Sequence, residues 1–513
     1  MTNHSLQNLI NSIYKNYPDV CDPWEIVAIV EALGYTDKAI ELEFGCPDAL
    51  VLGHFIYGQR DRVPFVNIDT TSARLPIKLS DELNIFITQF SHSFIYAIPF
   101  IILLILNYLP IDKKVDILPP ELNALFGFVT MASLITSSGF VQMISRRGLF
   151  YMGLKDPIQA NRICTSILSM GIFTSILLGS FGTIFGFYQG ITSDRYTIAA
   201  GVYYIILSTI WMLFAIVGLQ YRFAAPIILI GITCCFFVFR VFLKLSPLES
   251  QAIAISIAFI LLAVLTTSNR IKYRSIKPRF GKLVPLPNLS ILIYLLVPYF
   301  LYGIAYFGFI FADRLVANIA TAGHYRLIPG NNLDYQNSMD LALLNLLLIV
   351  PLVEYFSYKL IIYWYDRAKY MTLAESDSLP WQLQKKYWSL LSSILLYFGL
   401  LMSITIILLS ILHRSQTDNI LTIVACIGYL LFAIGLFNTV ILLSLDRLHD
   451  VLGILATAMS IDFIIGYLLG SLFGVYLAVV GLIVGAFFFA TYSSQKILKA
   501  IDRAEYCYFY SGY

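Results

Sequence analysis

From about residue 84 to the C-terminus, runs of twenty or more apolar residues follow one another with only short polar breaks, as in "ILIYLLVPYFLYGIAYFGFIF". A hydrocarbon layer roughly 30 Å thick is crossed by a helix of about 20 residues, so each run is long enough to span it. The runs fall near 86–109, 122–144, 163–187, 197–219, 223–243, 250–268, 289–312, 340–363, 388–412, 419–444, 450–471 and 473–494. Backbone groups in lipid must be satisfied within the segment, which makes each one a helix. The alternating ten-residue pattern of a membrane barrel is absent from the sequence. Composition agrees. Of 513 residues, 58% are hydrophobic and 13% charged, against about a quarter charged in a soluble chain. A soluble protein of this length could not bury that much apolar surface. The expected fold is an all-α polytopic membrane protein with about twelve transmembrane helices.

Lys and Arg set the orientation. They gather in "SRRGLFYMGLKDPIQANR", in "NRIKYRSIKPRFGK", between Asp366 and Lys386, and in a tail with Lys496, Lys499 and Arg503. These segments all fall on one side, which places both termini in the cytoplasm. The N-terminus lacks the apolar core of a cleavable signal, so the first span is expected to direct insertion. The most basic loop, 269–288, has Arg270, Lys272, Arg274, Lys277, Arg279 and Lys282 and no acid. It divides the spans six and six. It reads as a linker on an anionic leaflet, between a first lobe at 84–268 and a second at 289–495, with a tail at 496–513; nothing in it points to nucleic acid. The seven cysteines show neither CxxC nor Cys/His ligand spacing. No disulfide framework, metal site or cofactor is expected.

Residues 1–83 are polar and of mixed charge. "CDPWEIVAIVEALGYTD" offers Asp22 as N-cap, Pro23 at the first helical position and Gly34 as a stop. Ile26, Val27, Val30 and Leu33 recur at helical spacing. Thr36 is placed to cap a second short helix and Pro47 to open a third. The expectation is a small cytoplasmic helical domain whose apolar stripes pack on one another.

Ionisable side chains within spans are costly and mark functional candidates. Arg240 lies toward the outer end of the fifth span with Lys244 four residues on; it either meets an anionic or wet feature or follows Lys244 to the interface. Glu354 lies deep in the eighth span, three residues after Pro351, and is either a proton or cation carrier or a structural hydrogen-bonding group. Asp462, the one charge in the eleventh span beyond its first residue, Asp450, either lines a polar cavity or pairs with a neighbouring helix. Asp313 and Arg314 end the seventh span side by side. Adjacent helical residues point about 100° apart, so each needs another partner or a headgroup. Interfacial anchoring accounts for both, as it does for Asp446 and Arg447 at the end of the tenth span. With Arg240 in the first half and the acids Glu354 and Asp462 in the second, a polar cavity between two lobes would unite them.

"YFLYGIAYFGFIFADRLVANIA" resembles the seventh span of the PelG-like exopolysaccharide transporter family, with Phe311, Asp313 and Arg314 matching its Phe-x-Asp-Arg pattern. "GFVQMISRRGLFYMGLKDPIQANRI", "IWMLFAIVGLQYRFAAPIILIGI" and "LLSLDRLHDVLGILATAMSIDFIIGY" are similar to its other loops and hairpins. The likeness covers about residues 84–505. It implies the multidrug/oligosaccharidyl-lipid/polysaccharide (MOP) flippase superfamily, with two pseudo-symmetric lobes and alternating access. It also implies export of a polysaccharide or lipid-linked glycan across a bacterial cytoplasmic membrane beside a glycosyltransferase, with Asp313 and Arg314 gating or bracing the outer mouth. Residues 1–83 have no counterpart in the family pattern and are the candidate docking module for a cytoplasmic glycosyltransferase or other exopolysaccharide-complex subunits.

Besides glycan export, with Tyr299, Tyr302 and Tyr306 available to stack on sugars, two readings stay open. One is a proton- or cation-coupled multidrug-type exporter of the same fold, and the other is a membrane scaffold for a glycan-synthesis complex. An enzyme is not expected, because no outer loop is large enough to fold over a substrate. Reporter fusions test the orientation: a cytoplasm-active reporter is expected to work at both termini, and a periplasm-active one at neither.

Overall fold

The computed structural model describes residues 3–16, 20–59 apart from Cys21, scattered positions between 83 and 102, 120–190, 193–274 apart from Arg222, 289–321, 333–370, 378–411 and 415–511. All the secondary structure described is helical. Four short helices come first: α1 (Asn3–Asn16), α2 (Pro23–Ala32), α3 (Asp37–Phe44) and α4 (Ala49–Tyr57). Asp22 caps α2 by accepting from the Trp24 amide at 3.0 Å, and Gly34 leaves the helix at φ +85°. Asp48, rather than Pro47, caps α4, accepting from the Val51 amide at 2.7 Å. Ile13, Ile26, Val30, Ile40, Leu52 and Ile56 form a core of their own, and Tyr14 closes it by donating to the Ile56 carbonyl at 3.0 Å.

Eleven of the described helices are long and apolar enough to cross a membrane. The first expected span, 86–109, falls mostly outside the described residues. The first lobe contains α5 (Pro120–Gly153), α6 (Pro157–Gln189), α7 (Asp194–Gly218), α8 (Ala224–Phe237) with a wide final turn at Val238–Phe242, and α9 (Pro247–Arg274). The second contains α10 (Leu289–Thr321), α11 (Leu333–Tyr370), α12 (Leu379–Ile411), α13 (Gln416–Ser444), α14 (Leu448–Phe473), a tight turn at Val475–Ala478, and α15 (Val479–Ile501). A last short helix, α16 (Ala504–Ser511), lies on α11, where buried Trp364 donates to the Ala504 carbonyl at 3.3 Å. Helix α9 continues through Arg274, so the start of the basic 269–288 segment is helical, ahead of its prolines. Asp156 and Ser415 cap α6 and α13 through their side chains, satisfying amides that lipid would leave bare.

Within the second lobe, α11 packs on α13, α13 on α15, α14 on α15, and α10 on α14. Helix α10 belongs to both lobes. Its Leu292 and Leu296 are buried with Phe140, Met143, Ile163 and Met212 of the first. Its Phe309, Ile310 and Val316 are buried in the core of the second. Pro298 lies between the two sets. The lobes meet where α5 crosses α10 and side chains are small. A Cβ on Gly303 would come within 2.6 Å of the Ser138 carbonyl oxygen, and one on Gly139 within 2.3 Å of the Phe300 ring. Near the end of α5, Arg146 pairs with Asp446, in the turn between α13 and α14, at 3.4 Å and covers the Tyr299 ring of α10 at 5.3 Å. Asp446 is therefore tied to the other lobe.

Replacing Gly303 by Leu puts four carbons where the Ser138 backbone stands. Overpacking of this kind costs about 1–3 kcal/mol. The detergent-solubilised G303L variant is expected to unfold at a lower temperature than wild type, and an unchanged midpoint would refute the close crossing.

Candidate functional site

The segment "FIFADRLVANIA" continues α10 two turns past the expected end of its span, and this carries Asp313 and Arg314 into the second lobe. Their side chains are 0% and 1% exposed, so neither anchors at an interface. Because neighbouring helical positions diverge by about 100°, the acid and the base find different partners. The Arg314 guanidinium donates from Nη2 to Asp340 Oδ1 of α11 at 2.9 Å and from Nη1 to the Tyr429 hydroxyl of α13 at 3.2 Å. Nη1 also reaches the Ile310 carbonyl at 3.4 Å, and the Phe311 ring lies 5.5 Å from the guanidinium carbon. Asp313 Oδ2 accepts from the Tyr335 hydroxyl of α11 at 3.4 Å. Arg314 is thus held by three helices, with the geometry a buried cation requires. Asp340 has half its side chain exposed and leads from the buried cluster toward solvent.

Asp462 joins this group from α14. It is 0% exposed and lies within electrostatic range of Asp313 and of the Tyr335 hydroxyl. Gly481 and Gly485 of α15 make room for it. A Cβ on Gly481 would lie 2.4 Å from the Asp462 carbonyl oxygen and 2.7 Å from Oδ1, so only glycine lets the helices approach. Among the described residues, neither Asp462 carboxylate oxygen has a hydrogen-bond partner, and Asp313 Oδ1 and Arg314 Nε are in the same position. The cluster therefore sets the half-exposed Asp340 against the guanidinium and the buried Asp313 beside it in sequence, with Asp462 within electrostatic range of Asp313.

The other candidates lie elsewhere. Glu354 is exposed on α11, within electrostatic range of Tyr306 on α10, and the next residue, Tyr355, holds the Phe86 ring edge-on at 4.9 Å. It sits by the seam between lobes and outside the buried cluster. Arg240 lies in the wide turn after α8, where its Nη1 donates to the carbonyl of Leu245, just past the helix, at 3.0 Å. Lys244 adopts φ +54° after the helix has ended, so it does not share a helical face with Arg240. The intramembrane cation opposite the acids is Arg314, in the same lobe as they are. The expected division, with the cation in the first lobe and the acids in the second, does not hold for the buried groups.

Among the described residues, the first lobe carries a set of neutral side-chain hydrogen bonds. Thr136 Oγ1 lies 2.7 Å from the Tyr204 hydroxyl, and Trp211 donates from Nε1 to Ser133 at 3.3 Å. Gln251 donates from Nε2 to the Tyr203 hydroxyl at 3.2 Å, and Thr130 lies 3.4 Å from the same hydroxyl. Sequence reading missed Asp340, Tyr335 and Tyr429. Asp340 stood at the expected first residue of its span and passed for a boundary charge, whereas α11 begins seven residues earlier. The tyrosines carried no signal, because a lone tyrosine in an apolar run is indistinguishable from packing.

No family model and no curated protein matches the chain. Solved structures do match its fold. A mutant of the Vibrio cholerae MATE transporter VcmN aligns with a TM-score of 0.57 at 14% identity, over 84% of this chain and 99% of that one. The MOP superfamily transporter from Pyrococcus furiosus, described as having a binding pocket of reversed polarity, gives 0.52 at 14% identity, over 81% and 96%. The outward-facing conformation of a multidrug resistance MATE family transporter gives 0.52 at 13%, over 82% and 96%. The chain has the MATE/MOP transporter fold.

Removing Arg314 would leave buried carboxylates without their counter-ion. Breaking such a pair costs about 3–5 kcal/mol, whereas deleting the Tyr429 hydroxyl costs about 1 kcal/mol. Thermal unfolding in detergent is expected to show a large loss for Arg314→Ala and a small one for Tyr429→Phe; equal effects would place Arg314 outside the cluster's centre.

Proposed function

We propose that this chain is a membrane transporter that exports a polysaccharide or lipid-linked glycan by alternating access of its two lobes, and that it is of the PelG-like type within the MOP superfamily. The observation that carries the reading is the charge surplus inside the second lobe. With Arg314 already paired to the half-exposed Asp340, two further carboxylates buried in low dielectric, Asp313 and Asp462, are tolerated only if a proton or cation balances the excess. A proton on Asp313 or Asp462 would supply a donor where Asp313 Oδ1 and both Asp462 oxygens have none among the described residues. Exchange of that proton would change the pull on Arg314 and let α10 shift against α11 and α13. Since the other half of α10 is gripped by the first lobe, such a shift would be transmitted across the seam.

Sugar as cargo is supported by the residues that resemble the PelG-like family and by the neutral hydroxyl, amide and aromatic groups of the first lobe, which suit an uncharged, hydroxyl-rich molecule. Tyr302 and Tyr306 lie 6.2 Å apart, ring to ring, beside the seam. A second reading, a proton- or cation-coupled multidrug-type exporter, is favoured by Glu354, an exposed carboxylate at that seam. The proposed setting is a bacterial cytoplasmic membrane with both termini inside.

Asp313→Asn and Asp462→Asn fix the protonated charge state. Each is expected to cut cellular glycan export at least about tenfold at equal protein level, since one coupled protonation is worth upward of ~1.4 kcal/mol. Full export by both variants would remove the cluster from the mechanism. Loss of lipophilic-cation efflux in Glu354→Gln, with glycan export intact, would select the second reading.

A further inference from the structure

We propose that the N-terminal four-helix domain carries a docking face for a basic amphipathic helix of another protein, on the side of the membrane where that domain lies. Helix α4 shows why. Ala49, Leu52, Gly53 and Ile56 face inward and are buried, and Gly53 lets α4 close onto Val27 and the Pro23 carbonyl of α2. The opposite face is also apolar: Leu50 is 39% exposed, Val51 43% and Phe55 46%. They follow the spacing of one helical stripe. Trp24, 59% exposed at the start of α2, extends this stripe, because the His54 ring between them lies edge-on 6.4 Å from the indole. The domain's own core is already filled by Leu9, Ile13, Ile26, Val30, Ile40 and Leu52, so these four side chains are surplus to folding.

Exposed apolar groups are ordinary in the membrane lobes but informative on a small polar domain. The charge around the stripe narrows the occupant. Asp22 and Glu25 flank Trp24, and Asp48 precedes Leu50. The described domain also has Glu31, Asp37, Glu41 and Glu43, whereas the sequence to residue 59 offers only Lys15 and Lys38 in return. An anionic leaflet would repel such a rim. A helix with an apolar stripe edged by Lys or Arg complements both the stripe and the rim, as in helix-in-groove recognition. Binding there would bear on the transporter body: the α2–α3 turn touches the α5–α6 turn, where a Cβ on Gly34 would meet Leu154 at 3.3 Å.

The test uses the full chain in its native membrane, with Phe55 replaced by a photo-crosslinking benzoyl-phenylalanine and the crosslinked peptide sequenced by mass spectrometry. The expected product is a peptide from another protein that forms an amphipathic helix with Lys or Arg beside its apolar face. Its yield should fall about fivefold for Glu25→Lys and at high salt, the size of effect a few exposed charge pairs supply. It should be abolished by Val51→Asp, with unchanged protease resistance of residues 3–59 showing that the domain stays folded. Crosslinks only to lipid, only to this chain (its basic 275–288 segment included), to a partner indifferent to charge reversal, or to nothing would overturn the proposal.

Discussion

Everything in the second lobe is arranged around a guanidinium that hydrocarbon would reject. A charge of that size loses several kcal/mol of hydration on burial even after the surroundings relax. Arg314 recovers it from Asp340, Tyr429, the Ile310 carbonyl and the Phe311 ring, contributed by three helices. The position of any one of these helices is therefore fixed relative to the others. The acids nevertheless outnumber it, and Asp462 has both oxygens buried without a hydrogen bond among the described residues. A purely structural Arg314–Asp340 pair would not need Asp313 and Asp462 buried nearby. In the proposed function, that excess of buried acid is what exchanges a proton.

The rest of the fold gives this site leverage. Small residues at the α5–α10 crossing bring the Gly303 and Ser138 main chains within van der Waals range, with packed side chains on either side. Helix α10 is divided between two cores, with Pro298 between them. A displacement of its Arg314 half cannot stay local, since packed interfaces respond by switching arrangement and not by gradual compression. The Arg146–Asp446 contact joins the lobes at the opposite end, but both partners are more than half exposed, so it contributes little energy and opens easily.

Apolar run lengths located the membrane helices because lipid imposes a single requirement on every residue of a span. Each of the eleven described helices coincides with a run, and caps such as Asp22 were legible from local chemistry. The site was legible only in part. Asp313, Arg314 and Asp462 stood out as charges in oil, but which lobe they face depends on helix packing, and nothing along the chain records that. Asp340 was hidden because a helix boundary is blurred where polar residues begin, and Tyr335 and Tyr429 because their hydroxyls acquire meaning only beside Asp313 and Arg314. Arg240 donates to the Leu245 carbonyl just past its own helix, a local contact that its place in an apolar run did not reveal.

The central claim is that the second lobe holds an exchangeable proton on its buried carboxylates. Infrared difference spectroscopy of the purified protein in lipid, recorded across a pH titration, tests it most directly. The account predicts a protonated-carboxyl C=O band that titrates in the wild type and is lost or shifted in Asp462→Asn or Asp313→Asn. A spectrum with no such band at any pH, or one that both amide variants leave untouched, would contradict it.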